Sequence, residues 1–339
     1  MTPSLDVTAR EIVAEGKGIL AADETVGTIT KRLAAHDIES TAESRRDYRE
    51  MFFSTPAIAA FIGGVILQDE TIRQQSASGR SLVKLLADQG MVPGIKVDEG
   101  ARPLAGAPGE LVTEGLDGLR GRLEEYRRLG ARFAKWRAVI HVGDGLPSQT
   151  CLQVNANALA RYAALCQEQR LVPIVEPEVL MDGAHPLARC EEVTSQVLQA
   201  VFDALFEQNV VLEGILLKPN MVVPGKDSPE RASPEEVART TLRVLRRYVP
   251  VAVPGIVFLS GGQDARLATA HLSAINRLAG AKPWTLTFSY GRALQDEALE
   301  IWHGQKENVR AGQKAFFHRA KCESAAALGQ YGSEMEGVA

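Results

Sequence analysis

A chain of 339 residues is long enough to bury a large core, and its net charge of −4 gives no global attraction for nucleic acid or anionic membrane. Any anion it binds must therefore be met by a local cluster of cations. The cysteines, Cys151, Cys166, Cys190 and Cys322, form no CxxC pair and are read as standing at no metal-type spacing from a histidine. A reduced cytosolic compartment fits that usage best, and the lack of an HxxxH or HExxH pattern argues against a tightly bound catalytic zinc. Residues Met1 to Arg10 mix acid and base without a signal-type apolar core, and no later apolar run reaches membrane-span length. The expectation is a cytoplasmic protein with no nucleic-acid or membrane partner.

In chain order, short apolar runs recur, each ending in charged or small polar residues. Gly16 to Ala22 ends in Asp23-Glu24-Thr25, Gly63 to Leu67 in Gln68-Asp69-Glu70, and Val92 to Ile95 in Lys96-Val97-Asp98. Phe133-Ala134 runs into Lys135-Trp136-Arg137, and Val172 to Val175 into Glu176-Pro177-Glu178. Gly214 to Leu217 stops at Lys218-Pro219, Gly255 to Leu259 at Ser260-Gly261-Gly262, and Trp284 to Phe288 at Ser289-Tyr290-Gly291-Arg292. Runs of this length bounded by Gly and Pro read as buried strands, eight in all.

Helical segments lie between them. Ser233-Pro234-Glu235-Glu236 combines a capping serine, a first-turn proline and a capping-box glutamate ahead of Val237 to Tyr248. Ser40-Thr41-Ala42-Glu43 makes a similar start before Arg45 to Phe53, and Leu152–Gln169, Arg189–Glu207 and Ala265–Leu278 supply others, with Gly130 and Gly280 as stops. Eight strands alternating with helices, without a compositional break, predict a single α/β domain over residues 1–339, a closed (β/α)8 TIM barrel. The open doubly wound sheet is disfavoured, because no GxGxxG turn follows the first strand and charges close nearly every strand instead of clustering at one switch point.

In such a barrel the C-terminal strand ends converge on one mouth, which would gather Asp23, Lys96, Lys135, Arg137, Glu176, Glu178, Lys218, Ser260 and Arg292. Strand parity makes Lys135 and Arg137 share a face of their strand, and Glu176 and Glu178 a face of theirs. Trp136 then points away, into barrel packing. Lys218 is the most informative of the set. An amine at the lip of an apolar strand loses hydration, which disfavours its ammonium form, and the free amine can attack a carbonyl to give a Schiff base.

The stretches FAKWR, IVEPE, LLKPNMV, LSGGQ and FSYGRAL stand in the order and near-identical wording of class I fructose-bisphosphate aldolase, which the chain resembles over about nine-tenths of its length. The resemblance implies that Lys218 forms the Schiff base with C2 of fructose 1,6-bisphosphate. It implies that Glu176 moves protons during carbinolamine dehydration, a task suited to a carboxyl raised by burial. Lys135 would stand beside Lys218, and Asp23 would orient the C4 hydroxyl. Glu178 is left open between a catalytic part and that of counter-charge to Lys218 or Lys135. One phosphate site is expected from Ser260, Gly261, Gly262, Ser289 and Arg292, the other from Lys96, Arg137, Thr25 and Thr28, with Arg32 in the place of a mobile, ligand-meeting arginine. Asp98 and Asp69 are read as barrel-mouth ion pairs. No cofactor and no metal are expected, and the partners implied are the sugar bisphosphate and further copies of the chain, a tetramer by resemblance.

Two departures are visible. Thr25 and Thr28 replace serines of vertebrate members and keep the hydroxyls. Those members also end in a tyrosine that assists proton exchange on the enamine, whereas Tyr331 is the last tyrosine here. Another residue or water is therefore expected to protonate the enamine, and residues 323–339 read as a flexible tail. The competing readings are a Schiff-base aldolase or transaldolase for fructose 1-phosphate or sedoheptulose 1,7-bisphosphate, a non-enzymatic scaffold role, and a metal-dependent aldolase. The first is countered by the presence of both Lys96 and Arg137, the second by an intact Lys218 and Glu176, and the third by the motifs.

Overall fold

Valine- and isoleucine-rich runs buried on both faces suit a parallel sheet covered on both sides, and here that sheet closes. The computed structural model describes residues 3–337. Its first strands are β1 (Gly18–Ala21), β2 (Ile62–Leu67) and β3 (Val92–Lys96), followed by a hairpin of β4 (Gly100–Pro103) and β5 (Leu111–Glu114). The barrel continues through β6 (Phe133–Ile140), β7 (Val172–Val179), β8 (Leu216–Leu217), β9 (Gly255–Phe258) and β10 (Thr285–Tyr290). All barrel pairings are parallel, and β10 returns to β1 with Ser289 opposite Ile19. The eight expected strands are these eight, and the open-sheet alternative is excluded by the closure.

Helices follow the strands. They are α1 (Leu5–Ile12), α2 (Val26–Ala34), α3 (Ala42–Phe53), α4 (Asp69–Arg73), α5 (Leu82–Asp88), α6 (Leu119–Arg128) and α7 (Gln149–Glu168). Then come α8 (Leu187–Glu207), α9 (Pro234–Tyr248), α10 (Ala265–Arg277), α11 (Arg292–Trp302) and α12 (Val309–Ala327). The α9 capping box forms as its sequence dictates, with Ser233 and Glu236 each bonding the other's backbone N–H and Arg246 and Arg247 at the negative end of the helix dipole. At α3 the cap is Thr41, and its box partner is Ser44, because that hydroxyl reaches the Thr41 N–H at 2.9 Å.

The strands of β6 and β7 run past the charges expected to end them. Lys135 and Arg137 face inward while Trp136 between them is fully buried against Tyr162 of α7, ring centroids 5.6 Å apart. Alternation lets one strand serve mouth and packing at once.

The opposite end of the barrel is filled. Ala9, Ile12 and Val13, on and just after α1, pack with Ile19, Val92, Phe133 and Val172 from the strand starts. Helix and sheet touch so closely that a β-carbon at Gly63 would lie 2.1 Å from the Ile12 carbonyl oxygen. Only glycine fits there.

The expected tail corrects at its start. Glu323 is fully buried, accepts from the Thr269 hydroxyl at 2.6 Å and pairs with Arg319, so α12 continues through it. Tyr331 is buried, and residues Ser333–Gly337 coil into a 3₁₀ helix, η4, whose Glu336 pairs with Arg319. These partners hold polar groups that a free tail would leave in water. Residues 338 and 339 lie outside the described residues.

Candidate active site

Lys218 follows β8 directly, and its N–H donates to the Val175 carbonyl at 2.8 Å, which extends the ladder by one residue and aims the side chain into the mouth. In register, Lys96 of β3 stands beside Lys135 of β6, and Arg137 beside Glu176 of β7. A cavity of about 1030 Å³ opens there. It is lined by every expected site residue: Asp23, Thr25, Thr28, Arg32, Lys96, Lys135, Arg137, Glu176, Glu178, Lys218, Ser260, Gly261, Gly262, Ser289 and Arg292. Eight Lys and Arg against six Asp and Glu give the lining a formal excess of two positive charges, in a chain of net charge −4. The cavity is the local cation cluster that an anionic ligand requires.

At its floor one carboxylate serves two amines. Glu176 Oε1 lies 3.1 Å from Lys218 Nζ, and Oε2 lies 3.3 Å from Lys135 Nζ, which also meets Asp23 Oδ2 at 2.7 Å. Lys135, Glu176 and Lys218 are all buried. The Lys135 contact falls outside hydrogen-bonding angle, so Oε2 has no hydrogen-bond donor among the described residues. Burial alone would push the Glu176 carboxyl up, as the sequence suggests. Here Lys135, Lys218 and Arg137 outweigh it and hold Glu176 below the usual carboxylate range, which corrects that expectation for the free protein. Asp23 follows the same balance, its burial overcome by Lys135 and Lys218. Burial disfavours the Lys135 ammonium, yet Asp23, Glu176 and Asp98 raise it above the ordinary lysine value.

Glu178 takes a third course. Its partner is Arg137 Nε, not either lysine, so its counter-charge role falls on the guanidinium. Asp98 pairs with Lys96 at 2.6 Å in the mouth, as expected, whereas Asp69 pairs with Arg73 at 2.9 Å along the exposed side of α4 and does not line the cavity.

Two regions of the wall suit anions. After β9, Gly261 and Gly262 adopt left-handed backbone (φ +60° and +86°), which bares the turn's N–H groups, and Arg292 Nη2 lies 3.5 Å from where a Gly262 β-carbon would be. Ser289 adds a buried hydroxyl with no hydrogen-bond partner, and Arg292 makes no ion pair, both among the described residues. Across the mouth, Thr25 caps α2 and its hydroxyl meets that of Thr28 at 3.0 Å, near Lys96 and Arg137. Arg32 lines the same cavity but is tied down by Glu24, by Gln295 Oε1 at 2.9 Å and by Asp296 at 2.7 Å.

Sequence reasoning missed Glu24, Lys31, Met181, Asp182 and Lys226, which also line the cavity. Lys31 had a signal, standing three residues after Thr28 on α2. Glu24 stood among the charges closing the first strand, but its partner Arg32 and the buried Arg49 that donates to its carbonyl at 2.9 Å meet it only in the fold. The reading of the cysteines is corrected too. His318 and Cys322 stand four apart on α12, with Nε2 3.7 Å from Sγ, and Glu336 brings a carboxylate oxygen within 4.8 Å of both.

A lysine-rich mouth with a carboxylate bridging two buried amines is the make-up of an imine-forming barrel enzyme for phosphorylated carbonyl substrates. The family model for fructose-bisphosphate aldolase class-I matches residues 4–339. Among similar proteins, a probable fructose-bisphosphate aldolase class 1 of Xylella fastidiosa is 57% identical, covering 96% of this chain and 97% of its own. Fructose-bisphosphate aldolase 4, cytosolic, of Arabidopsis thaliana is 53% identical, covering 97% and 84%. The solved structure of Plasmodium falciparum fructose-bisphosphate aldolase, in complex with TRAP and a small-molecule inhibitor, superposes with a TM-score of 0.96 at 47% identity, covering 97% of this chain and 95% of that one. The chain belongs to the class I fructose-bisphosphate aldolases.

Proposed function

We propose that the chain reversibly cleaves fructose 1,6-bisphosphate to dihydroxyacetone phosphate and glyceraldehyde 3-phosphate, with Lys218 as the imine-forming residue. The observation that carries this is Glu176 standing within 3.1 Å of Lys218 Nζ while its second oxygen faces Lys135. A proton passes from Lys218 to Glu176, and the freed amine adds to the C2 ketone. Loss of the Lys218 charge removes one of the two ammoniums that hold the Glu176 carboxyl down, so the acid form becomes accessible when it is needed. Glu176 then returns the proton to the carbinolamine hydroxyl, which leaves as water, and the iminium forms.

With the iminium as electron sink, Asp23 accepts the hydrogen bond of the C4 hydroxyl and takes its proton as the C3–C4 bond breaks and the C4 aldehyde forms. Asp23 is suited to this because its neighbouring lysines keep it ionised. The aldehyde departs, the enamine is protonated at C3, and hydrolysis returns dihydroxyacetone phosphate and the Lys218 amine. Lys135 positions Asp23 and Glu176 by pairing with both. One phosphate binds to the Ser260-Gly261-Gly262 turn with Ser289 and Arg292, and the other to Lys96, Arg137, Thr25 and Thr28, once Arg32 and Glu178 exchange their present partners. Tyr331 does not line the cavity and donates to Glu336 at 2.8 Å, which supports enamine protonation by another residue or by water.

The same reading makes the protein a cytoplasmic homo-oligomer, a tetramer by family. It is supported by the cytosolic plant relatives and by Phe206 and Val211, which lie at and just beyond the C-terminal end of α8 and are 84% and 56% exposed. Among the described residues no helix is long and apolar enough to cross a membrane.

The test is borohydride reduction with dihydroxyacetone phosphate, in the presence of a chelator, followed by intact and peptide mass analysis. A wild-type adduct on Lys218, absent from Lys218→Met, is expected. An adduct elsewhere, or none together with activity that chelation removes, would overturn the assignment.

A further inference from the structure

Away from the active cavity, α12 and η4 bring three different ligand types to one point. His318 and Cys322, at i and i+4, share a helix face, and the chain turns back after Ala327 to set Glu336 over them. Zinc bonds of about 2.0–2.3 Å in tetrahedral geometry place neighbouring donor atoms roughly 3.3–3.8 Å apart. The His318 Nε2 to Cys322 Sγ separation of 3.7 Å falls in that range, and the Glu336 oxygen, within 4.8 Å of both, needs only a small side-chain adjustment.

The surroundings are those of an oriented ligand set. Glu336 Oε1 accepts from Tyr331 at 2.8 Å and from Arg319, which fixes the carboxylate in the way outer hydrogen bonds fix metal ligands. Among the described residues its Oε2 is held only by Arg266 at 3.4 Å, a side chain 69% exposed and free to swing away. The Arg319 charge is answered on its other side by Glu323 at 3.1 Å. Cys322 is fully buried and the Glu336 side chain is 10% exposed, whereas His318 is half-buried and leaves the cluster reachable from solvent.

We infer that His318 Nε2, Cys322 Sγ and a carboxylate oxygen of Glu336 form a structural site for a zinc-class divalent cation that fastens η4 onto α12. The mixed nitrogen, sulfur and oxygen set selects Zn²⁺ over Mg²⁺ or Ca²⁺, which take oxygen alone. On binding, the Cys322 S–H bond breaks, its proton goes to solvent and a metal–thiolate bond forms, with no redox change. None of the three residues lines the active cavity, so the site stands apart from the imine chemistry.

The experiment uses the full chain stripped with chelator and then titrated with Co²⁺, followed by Zn²⁺. One equivalent of Co²⁺ should bind with a thiolate-to-cobalt charge-transfer band, which Zn²⁺ then erases. Cys322→Ser should lose the band. His318→Gln, a change at a half-buried position, should weaken binding by at least about tenfold while keeping the wild-type circular dichroism spectrum and cleavage of fructose 1,6-bisphosphate. Zn²⁺ should raise the melting temperature of the wild type and not that of His318→Gln. The proposal is overturned if the wild type shows no stoichiometric charge-transfer band, or if His318→Gln and Cys322→Ser bind the metal as the wild type does.

Discussion

Replacing Glu176 by glutamine keeps the shape of the floor and removes its charge. At 3.1 and 3.3 Å, and with an effective dielectric of about 20, each lysine loses roughly 5 kcal/mol of gross attraction. Part of that is offset, because the Glu176 charge no longer needs desolvation and one amine can shed its proton, so the net destabilisation is about 3–5 kcal/mol at most. The kinetic effect is separate. An amide can neither take the Lys218 proton nor return it to the carbinolamine, and losing a positioned acid/base costs about 10²–10⁴-fold, or roughly 3–5 kcal/mol in the barrier. Rapid-quench borohydride trapping with dihydroxyacetone phosphate should show the Lys218 adduct forming slower by that factor in Glu176→Gln, yet reaching the same mass increment as in the wild type. Steady-state cleavage should fall in parallel. A folded Glu176→Gln protein that forms the adduct and turns over within about tenfold of wild type would refute the proton-shuttle reasoning.

Arg292→Ala should lower kcat/KM by roughly 10–100-fold, mainly through KM, since a phosphate contact of about 1.5–3 kcal/mol is made equally in ground and transition states; an unchanged KM for the bisphosphate would place that phosphate elsewhere. Asp23 and Glu176 have folded pKa values below their ordinary 3.8 and 4.5, so their contribution to stability is full above those values and is lost as pH falls through the depressed ones. Lys135, raised above 10.5, contributes fully below that value and loses its contribution only as pH rises through the raised one. Urea midpoints should therefore plateau between these limits, and the acid limb should flatten in Lys135→Met; an identical acid limb in that variant would contradict the pairing. Gly63→Ala forces a methyl against the Ile12 carbonyl and should cost about 1–3 kcal/mol, read as a melting temperature lower by several degrees. Coincident melting curves would mean that α1 does not press on β2 as described.

The barrel was legible because its strands are short, apolar and punctuated, and because a strand that ends in charge advertises which end is the mouth. Lys218, Lys135 and Glu176 were reachable on those grounds alone. The hairpin of β4 and β5 was not, since one four-residue strand is broken by Gly100, Arg102 and Pro103 and the other, Leu111 to Glu114, is too short to show an alternation, and α1 gave no hint that it would stop up the barrel. The sign of the Glu176 shift was misjudged for a definable reason. Burial of a single carboxylate can be argued from an apolar strand, but two ammoniums converging on it from β6 and β8 exist only once the sheet has closed. Arg32 shows the same limit, its anchors Gln295 and Asp296 lying more than 260 residues away in sequence.

Because α1 and Phe133 occupy the far end, the barrel has one door. Both fragments of a cleaved sugar must use it, but in the mechanism we propose one of them stays tethered to Lys218 after the carbon–carbon bond has gone. The untethered aldehyde is therefore first in the queue to leave, and in the condensing direction the ketone must be seated before the aldehyde can enter behind it. Order of traffic is set by covalency and a sealed back wall, without any need for one fragment to bind more tightly than the other.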